Sequence, residues 1–395
     1  MGIFVVKSKI SSEGLVKIQW FIFGIKVLSY TLRLDKHCKK NDIILCYDSL
    51  YDENAEAVDA FSFFKYLQQH NIPSRYVLLR GTRLHKELKK KKKLKDIILI
   101  DHIDCFFWSC RKILRRSKVL FSAFGLYEHF DKVLAKLPHL TYIYAKHGVI
   151  FLKEQVLNMY SADRFNKIVC VARPESELMK KHGTWLENLQ IKSGMPRWDN
   201  LKRIPHNQKN IFLFFTWRRS IAQHPETLKI YADRINQILN NKDLLDLVNR
   251  HNLKLNFATH HAMLKNRAFL DTPQHVNLVP ADNISNFIGM TDLLITDYSS
   301  IAFDFMFLDT PVIFYKFDAD VNYPDEDDNI NLKLAIQKDK ELYNCLYSAD
   351  DVVHRIEEYI NTDFQATKKE KEINSHFFFT KINICENLYN QIKEL

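Results

Sequence analysis

Short apolar runs alternate with amphipathic stretches along the first half of the chain. The runs are Asp42–Cys46, Tyr76–Leu79, Asp96–Ile100, Lys118–Phe121, Thr141–Tyr144 and Lys167–Val171. Runs so short and continuously apolar predict strands buried on both faces of a parallel sheet. Ala55–Gln69 and Tyr127–Leu137 carry the longer period of helices between them. The pattern pauses at Met195–Asn207, where Pro196, Pro205 and polar residues predict a linker. A second series then begins. Strands are predicted at Ile211–Thr216, Lys254–Thr259, Val276–Leu278, Leu293–Thr296 and Val312–Tyr315, with helices at Thr227–Leu239, Ile284–Gly289 and Ile301–Leu308. The reading is α/β: two doubly wound Rossmann-type domains, at 1–200 and 207–365, and a C-terminal helix at 366–395 packing back on the first.

One stretch departs from this rhythm. Leu15–Leu28 is apolar but interrupted by Lys17 and Lys26, so it lacks the roughly 20 apolar residues of a membrane span. No small-residue cleavage site follows it, and no cleavable signal peptide is expected. Its spacing is read as a helix over 15–28 with two alternatives. It lies in a membrane interface, with lysines toward acidic headgroups, or it is an ordinary buried helix.

Charge adds an anionic partner to the picture. Lys and Arg number 57 against 47 Asp and Glu, a net charge of +10. That surplus suits nucleic acid, an anionic membrane or a polyphosphate substrate. No helix-turn-helix, zinc finger or aromatic RNA-binding strand accompanies it, so nucleic acid is set aside. Lys89–Lys93 is a run of five lysines, read as either a phosphate contact or a solvated face. The seven cysteines are scattered with no CxxC pair, which points to reduced thiols in a cytoplasm. Gly and Pro number only 9 and 10, which excludes a disordered or collagen-like chain.

Two segments carry candidate chemistry. In Leu293–Tyr315 an apolar strand ends at Thr296-Asp297-Tyr298, and Ser299 and Ser300 open a helix. Unpaired backbone N–H groups and two hydroxyls there suit a phosphate, although a serine at that point can simply cap the helix. At Lys146–Lys153 a strand ends in His147-Gly148. Glycine permits a sharp turn, and an imidazole at a strand end can move a proton near neutral pH.

Together these strings resemble the CDP-glycerol glycerophosphotransferase family. The resemblance rests on Thr296–Ser300 with the following Phe303-Asp304-Phe305 and Pro311, and on His147-Gly148 with a lysine six residues after the histidine. Ser193–Asp199, Phe215–Arg219 and Thr259-His260-His261 resemble further family elements, and Tyr51–Leu67, with Asn54, loosely resembles its acceptor-side segment. The family resemblance, with the two predicted domains facing a cleft, implies a GT-B-like fold. It implies transfer of glycerol or ribitol phosphate from a CDP-alditol to a lipid-linked or polymeric acceptor, with release of CMP, in teichoic-acid or capsule-type polymer synthesis. His147 is the implied base. Lys153, Arg218, His260 or His261, Ser299 and Ser300 are the implied substrate contacts. Asp297 is grouped with them, either structural or orienting the loop. No cofactor is implied. Asp318-Ala319-Asp320 is a lookalike of a metal-binding pair, and Mg2+ assistance to the leaving group stays open. The enzyme is expected at the cytoplasmic face of the membrane as a peripheral protein. After Asp318 the family has Tyr then Arg-Gly, whereas this chain has Tyr323-Pro324 and the acidic run Asp325–Asp328. A GT-B glycosyltransferase using a CMP- or UDP-sugar is therefore the alternative, and a noncatalytic assembly factor is a third.

Overall fold

The computed structural model describes residues 4–10, 15–22, 25–34, 42–48, 59–102, 105–123, 131–132, 134–280 and 284–395. The chain forms two compact units. One holds Met1–His147, Asn158–Asn200 and Phe379–Leu395; the other holds Gly148–Leu157 and Leu201–Phe378. The chain therefore passes from the first unit to the second at the His147–Gly148 peptide.

The first unit opens with β1 (Phe4–Ile10), β2 (Leu15–Ile22) and β3 (Ile25–Arg33), an antiparallel three-stranded sheet. The helix expected over 15–28 is therefore corrected to strands. The register pairs Ile22 with Ile25, at adjoining ends of β2 and β3. The residues agree with this at the level of period. Val16, Ile18 and Trp20 alternate with Lys17, which is exposed, and Gln19, which is half-buried. Alternation of two wins over the apolar stretch surrounded by lysines that suggested a helix.

Seven parallel strands make the main sheet of this unit: β4 (Ile43–Tyr47), β5 (Ser74–Leu79), β6 (Ile97–Ile100), β7 (Ser117–Ser122), β8 (Thr141–Tyr144), β9 (Lys167–Cys170) and β10 (Gln190–Lys192). Their order is β10-β9-β8-β7-β4-β5-β6. The helix Asp59–Gln69 follows β4, and the Asp48 carboxylate at the end of that strand accepts the amides of Ala60 and Phe61 at its N-terminus. The expected helix Tyr127–Leu137 lies partly outside the described residues, as do Asn54 and the start of Ala55–Gln69.

In the second unit β11 (Asn210–Phe215), β12 (Lys254–Thr259), β13 (Val276–Leu278), β14 (Leu293–Thr296), β15 (Val312–Tyr315) and β16 (Cys345–Leu346) are all parallel, in the order β13-β12-β11-β14-β15-β16. The order reverses between β4 and β7 in one sheet and between β11 and β14 in the other. Ligands of open α/β sheets bind beyond the carboxyl ends of strands at such a reversal.

The expected single helix at 366–395 is corrected to two, Lys368–Phe377 and Ile384–Lys393. Phe378 is extended and Asn383 is left-handed, with φ 49°, so the backbone cannot run through as one helix. The second helix belongs to the first unit. There Asp199 accepts the amides of Ile384 and Cys385 at 2.8 and 2.7 Å and caps its start. Nearby, Arg197 pairs with the buried Asp59. The Ser193–Asp199 element thus ties three parts of the first unit together.

Candidate functional site

In the second unit, β11 and β14 lie side by side and deliver Thr216–Arg218 and Asp297–Ser300 to the same end of the sheet. Asp297 is fully buried. Both its oxygens accept the Thr216 amide, at 3.0 and 3.1 Å, and Oδ2 also accepts from Arg218 at 2.8 Å. Arg218 has no exposure at all. Its Nε and Nη2 donate to the two oxygens of Asp318, at 2.7 and 2.9 Å, and Nη1 donates to Asp297 and to the Thr216 carbonyl. Tyr298 covers the guanidinium at 4.3 Å, and Tyr323 donates its hydroxyl to Asp318 at 2.6 Å.

This geometry bears on two expectations. Arg218 is expected on a phosphate, but it is fully buried, and four of its five N–H donors go to two carboxylates and a carbonyl inside the protein, which makes it part of the frame of the site. Asp297 is likewise buried and spends its oxygens on the Thr216 amide and Arg218, in keeping with the structural alternative named for it. Burial opposes the Arg218 charge, but Asp318 and Asp297 outweigh it and raise its pKa well above the ordinary value. Burial likewise opposes ionisation of Asp297, and Arg218 with the Thr216 amide pulls its pKa below the usual carboxylate value. The pair is a fixed clamp between the ends of β11, β14 and β15.

The clamp leaves the serines at the edge. Ser299 is buried and Ser300 is half-buried, just ahead of the helix Ala302–Phe307. That helix has six residues, so its own field is weak. Gly148 packs against this point. A Cβ built on it would meet Ser300 Oγ at 2.8 Å and Cβ at 3.1 Å. Glycine is required here for close approach. Gly148 of one chemistry-bearing string and Ser300 of the other therefore touch within one unit.

Lys153 supplies the positive charge nearby. It is half-buried, and its ammonium makes no ion pair or hydrogen bond among the described residues. Burial lowers its pKa, and Asp297 only partly offsets that. A desolvated cation of this kind gains from an arriving anion.

His147 ends the first unit's segment after β8 and is exposed. Lys146 sets the backbone before it. Lys146 is buried in a left-handed conformation, φ 63°, and its ammonium reaches the buried Glu175 at 3.2 Å. Glu175 also accepts the Val171 amide at 2.9 Å. A non-glycine residue at positive φ costs energy, and this buried ion pair holds it there. The turn presents the imidazole to solvent.

His260 follows β12 and is half-buried, with Nδ1 accepting the Ala262 amide at 3.3 Å. The side chain of His261 lies outside the described part. Trp217, which the sequence reading did not single out, lies nearly parallel to His260, with ring centroids 6.5 Å apart and planes at 14°. Lys316, at the end of β15, was also missed. Its buried ammonium is 4.0 Å from Asp339 Oδ1, and neither atom has a hydrogen-bond partner.

Asp318-Ala319-Asp320 is occupied by protein. Asp318 grips Arg218, and Asp320 pairs with Arg234. The acidic run that departs from the family pattern is also tied in. Asp325 caps the helix Glu326–Gln337, and Asp328 accepts the amides of Arg219 and Ser220 at 3.0 and 2.7 Å.

The model of the family described as CDP-Glycerol:Poly(glycerophosphate) glycerophosphotransferase matches residues 28–393. The "Minor teichoic acid biosynthesis protein GgaB" of Bacillus subtilis (strain 168) is 24% identical over 277 residues, which is 66% of this chain and 30% of that protein. The chain thus spans under a third of the length of this curated relative. A variant of the Wall Teichoic Acid Polymerase TagF has a similar fold, with a TM-score of 0.59 and 15% identity over 90% of each chain. A putative UDP-N-acetylglucosamine 2-epimerase from Listeria monocytogenes has a TM-score of 0.56 and 10% identity, covering 90% of this chain and 96% of that one. At such identities the likeness establishes the fold, which is GT-B-like.

Proposed function

Because the chain belongs to the CDP-glycerol:poly(glycerophosphate) glycerophosphotransferase family, we propose that it transfers an alditol phosphate from a CDP-alditol to a hydroxyl of a lipid-linked or polymeric acceptor. The acceptor oxygen attacks the phosphorus that bears the alditol. The new O–P bond forms as the bond to the CMP oxygen breaks, and CMP leaves. His147 takes the acceptor proton. Ser299, Ser300 and Lys153 hold the pyrophosphate oxygens, and His260 borders them. Positioning and charge neutralisation carry such a reaction.

The observation that carries this reading is the contact of Gly148 with Ser300 in the unit that also holds the unpaired Lys153. CDP-glycerol is the favoured donor because the family is described by it, and a solved TagF variant was soaked with CDPG. We place the enzyme as a peripheral protein on the cytoplasmic face of the membrane. No helix among the described residues is long and apolar enough to cross one.

A second reading has a specific basis. The fold is shared with UDP-GlcNAc epimerases, and the segment after Asp318 departs from the family. A sugar nucleotide is therefore the alternative donor. The test is nucleotide release from CDP-glycerol, CDP-ribitol, CMP-sugars and UDP-sugars, with membrane extract as acceptor and an EDTA arm for Mg2+ dependence. CMP release from a CDP-alditol, lost in His147→Ala, is expected. An active His147→Ala protein removes the base assignment, and release only from a sugar nucleotide replaces the donor.

A further inference from the structure

The transfer reaction makes no use of the lysine run or of the cavity beside it. That cavity, about 460 Å³, lies between the helix Asp59–Gln69, the helix Arg83–Lys90 and β6. Every residue lining it belongs to the first unit. Its floor is apolar: Phe61, Phe64, Leu84 and Leu88 reach it with little exposed surface. Its rim is basic: Lys65, Lys91, Lys93 and Lys95 line it.

The backbone explains how the run reaches the rim. The helix ends at Lys90, and Lys92 takes a left-handed conformation, φ 56°. The Lys93 amide then turns back to the Leu88 carbonyl at 2.9 Å. Lys91 and Lys93 fall on the cavity side of this turn, whereas Lys89, Lys90 and Lys92 do not line it. A run kept only for solubility would need neither the turn nor the apolar floor beneath it.

The charge on the rim is not neutralised by protein. Glu87 and Asp96 also line the cavity, but Glu87 pairs with Arg83 at 3.2 Å and Asp96 with Arg75 at 2.7 Å. The four lysines make no ion pair among the described residues. Apolar floor and cationic rim together demand a ligand that is apolar at one end and anionic at the other, and the volume lies in the range of ligand sites.

We propose that this cavity binds an anionic phospholipid, its phosphate on Lys91, Lys93 and Lys95 and the start of its hydrocarbon on the floor. The proposal stands whichever donor the enzyme uses. It gives the first unit a docking point on an acidic membrane.

The test uses the full chain, vesicles of phosphatidylcholine with and without phosphatidylglycerol, and monomeric dihexanoylphosphatidylglycerol, with inorganic phosphate as control. The three rim lysines are exposed, so Lys91→Gln/Lys93→Gln/Lys95→Gln leaves the fold intact. At about a factor of five per lysine near an acidic surface, partition should fall on the order of a hundredfold. A matched change of the exposed Lys368, Lys369 and Lys371 should cost far less. The soluble lipid should bind at least about tenfold more tightly than phosphate, since each buried methylene contributes about 0.8 kcal/mol. Gln69→Trp, on the cavity wall, should remove that preference. Equal losses in both triple variants, equal affinity for phosphate and lipid, or no lipid binding would each overturn the proposal.

Discussion

Replacing Arg218 by Met separates a scaffold role from a ligand role. The substitution keeps an apolar stem and deletes the guanidinium. It strands Asp318, left with only the Tyr323 hydroxyl, and Asp297, left with only the Thr216 amide. Both carboxylates have no exposure. Removing one partner of a buried pair costs about 3–5 kcal/mol, because the remaining charge is neither hydrated nor paired. Here two carboxylates lose one shared partner, so a loss of about 4 kcal/mol is a floor. That is a large part of the 5–15 kcal/mol typical of a whole domain. A chain of two units need not unfold in one step, so the assay is amide exchange read by peptide. Protection of β11, β14 and β15 should collapse while that of β4–β9 holds. Lys316→Met is the internal control. That buried lysine makes no hydrogen bond and only a long 4.0 Å pair with Asp339, so its loss should cost far less than that of Arg218. The sign with pH follows from Asp297, whose pKa is lowered in the fold. Its contribution is present above the ordinary carboxylate pKa and disappears as pH falls through the lowered value. The gap between wild type and Arg218→Met should therefore narrow in acid. Should Arg218→Met keep full protection and lose only donor affinity, the clamp is wrong and the phosphate contact is restored.

Two further outcomes follow from close contacts elsewhere. Gly148→Ala drives a methyl to 2.8 Å from Ser300 Oγ and should cut turnover by about tenfold or more, at an overpacking cost of about 1–3 kcal/mol. Ser300→Gly in the same chain should recover the stability but not the turnover, and a Gly148→Ala protein with wild-type turnover would show that the approach is not needed. Asp48 is buried beside Asp59, and burial followed by that charge lifts its pKa to about 7. Its folded pKa is raised, so its contribution is full below the unfolded pKa near 3.8 and is lost as pH rises to about 7, on the order of 4 kcal/mol in all. Asp48→Asn should flatten the stability of the first unit between pH 4 and pH 7; an unchanged slope in denaturation curves would exclude Asp48 as its source.

The parallel strands were legible because most of their positions are covered on both faces, which favours near-continuous apolar runs. β12, β13, β14 and β15 begin and end where their apolar runs do. β1–β3 were not legible as strands. An apolar stretch surrounded by lysines suggested one amphipathic helix, although Val16, Ile18 and Trp20 already alternated with polar positions. The C-terminal break was hidden for another reason. Phe378–Asn383 carries neither glycine nor proline, and the turn there is set by packing, with the Phe379 amide on the Val171 carbonyl. Tertiary contacts override local preference at such points.

At the site, motif and role came apart. A conspicuous Arg and Asp beside two serines read equally well as ligand contacts or as the frame behind them. Only a count of donors decides between those readings. Arg218 spends four of its five donors on two carboxylates and a carbonyl, whereas the Lys153 ammonium has no partner among the described residues, and Asp297 acts on the charge of both. Lys146 is buried and paired, so it serves the turn, and His147 next to it is exposed. A cation or imidazole that the fold leaves unsatisfied or exposed is where a substrate can gain free energy. The satisfied neighbours keep it in place, and their substitution should read out first as stability and only through it as rate.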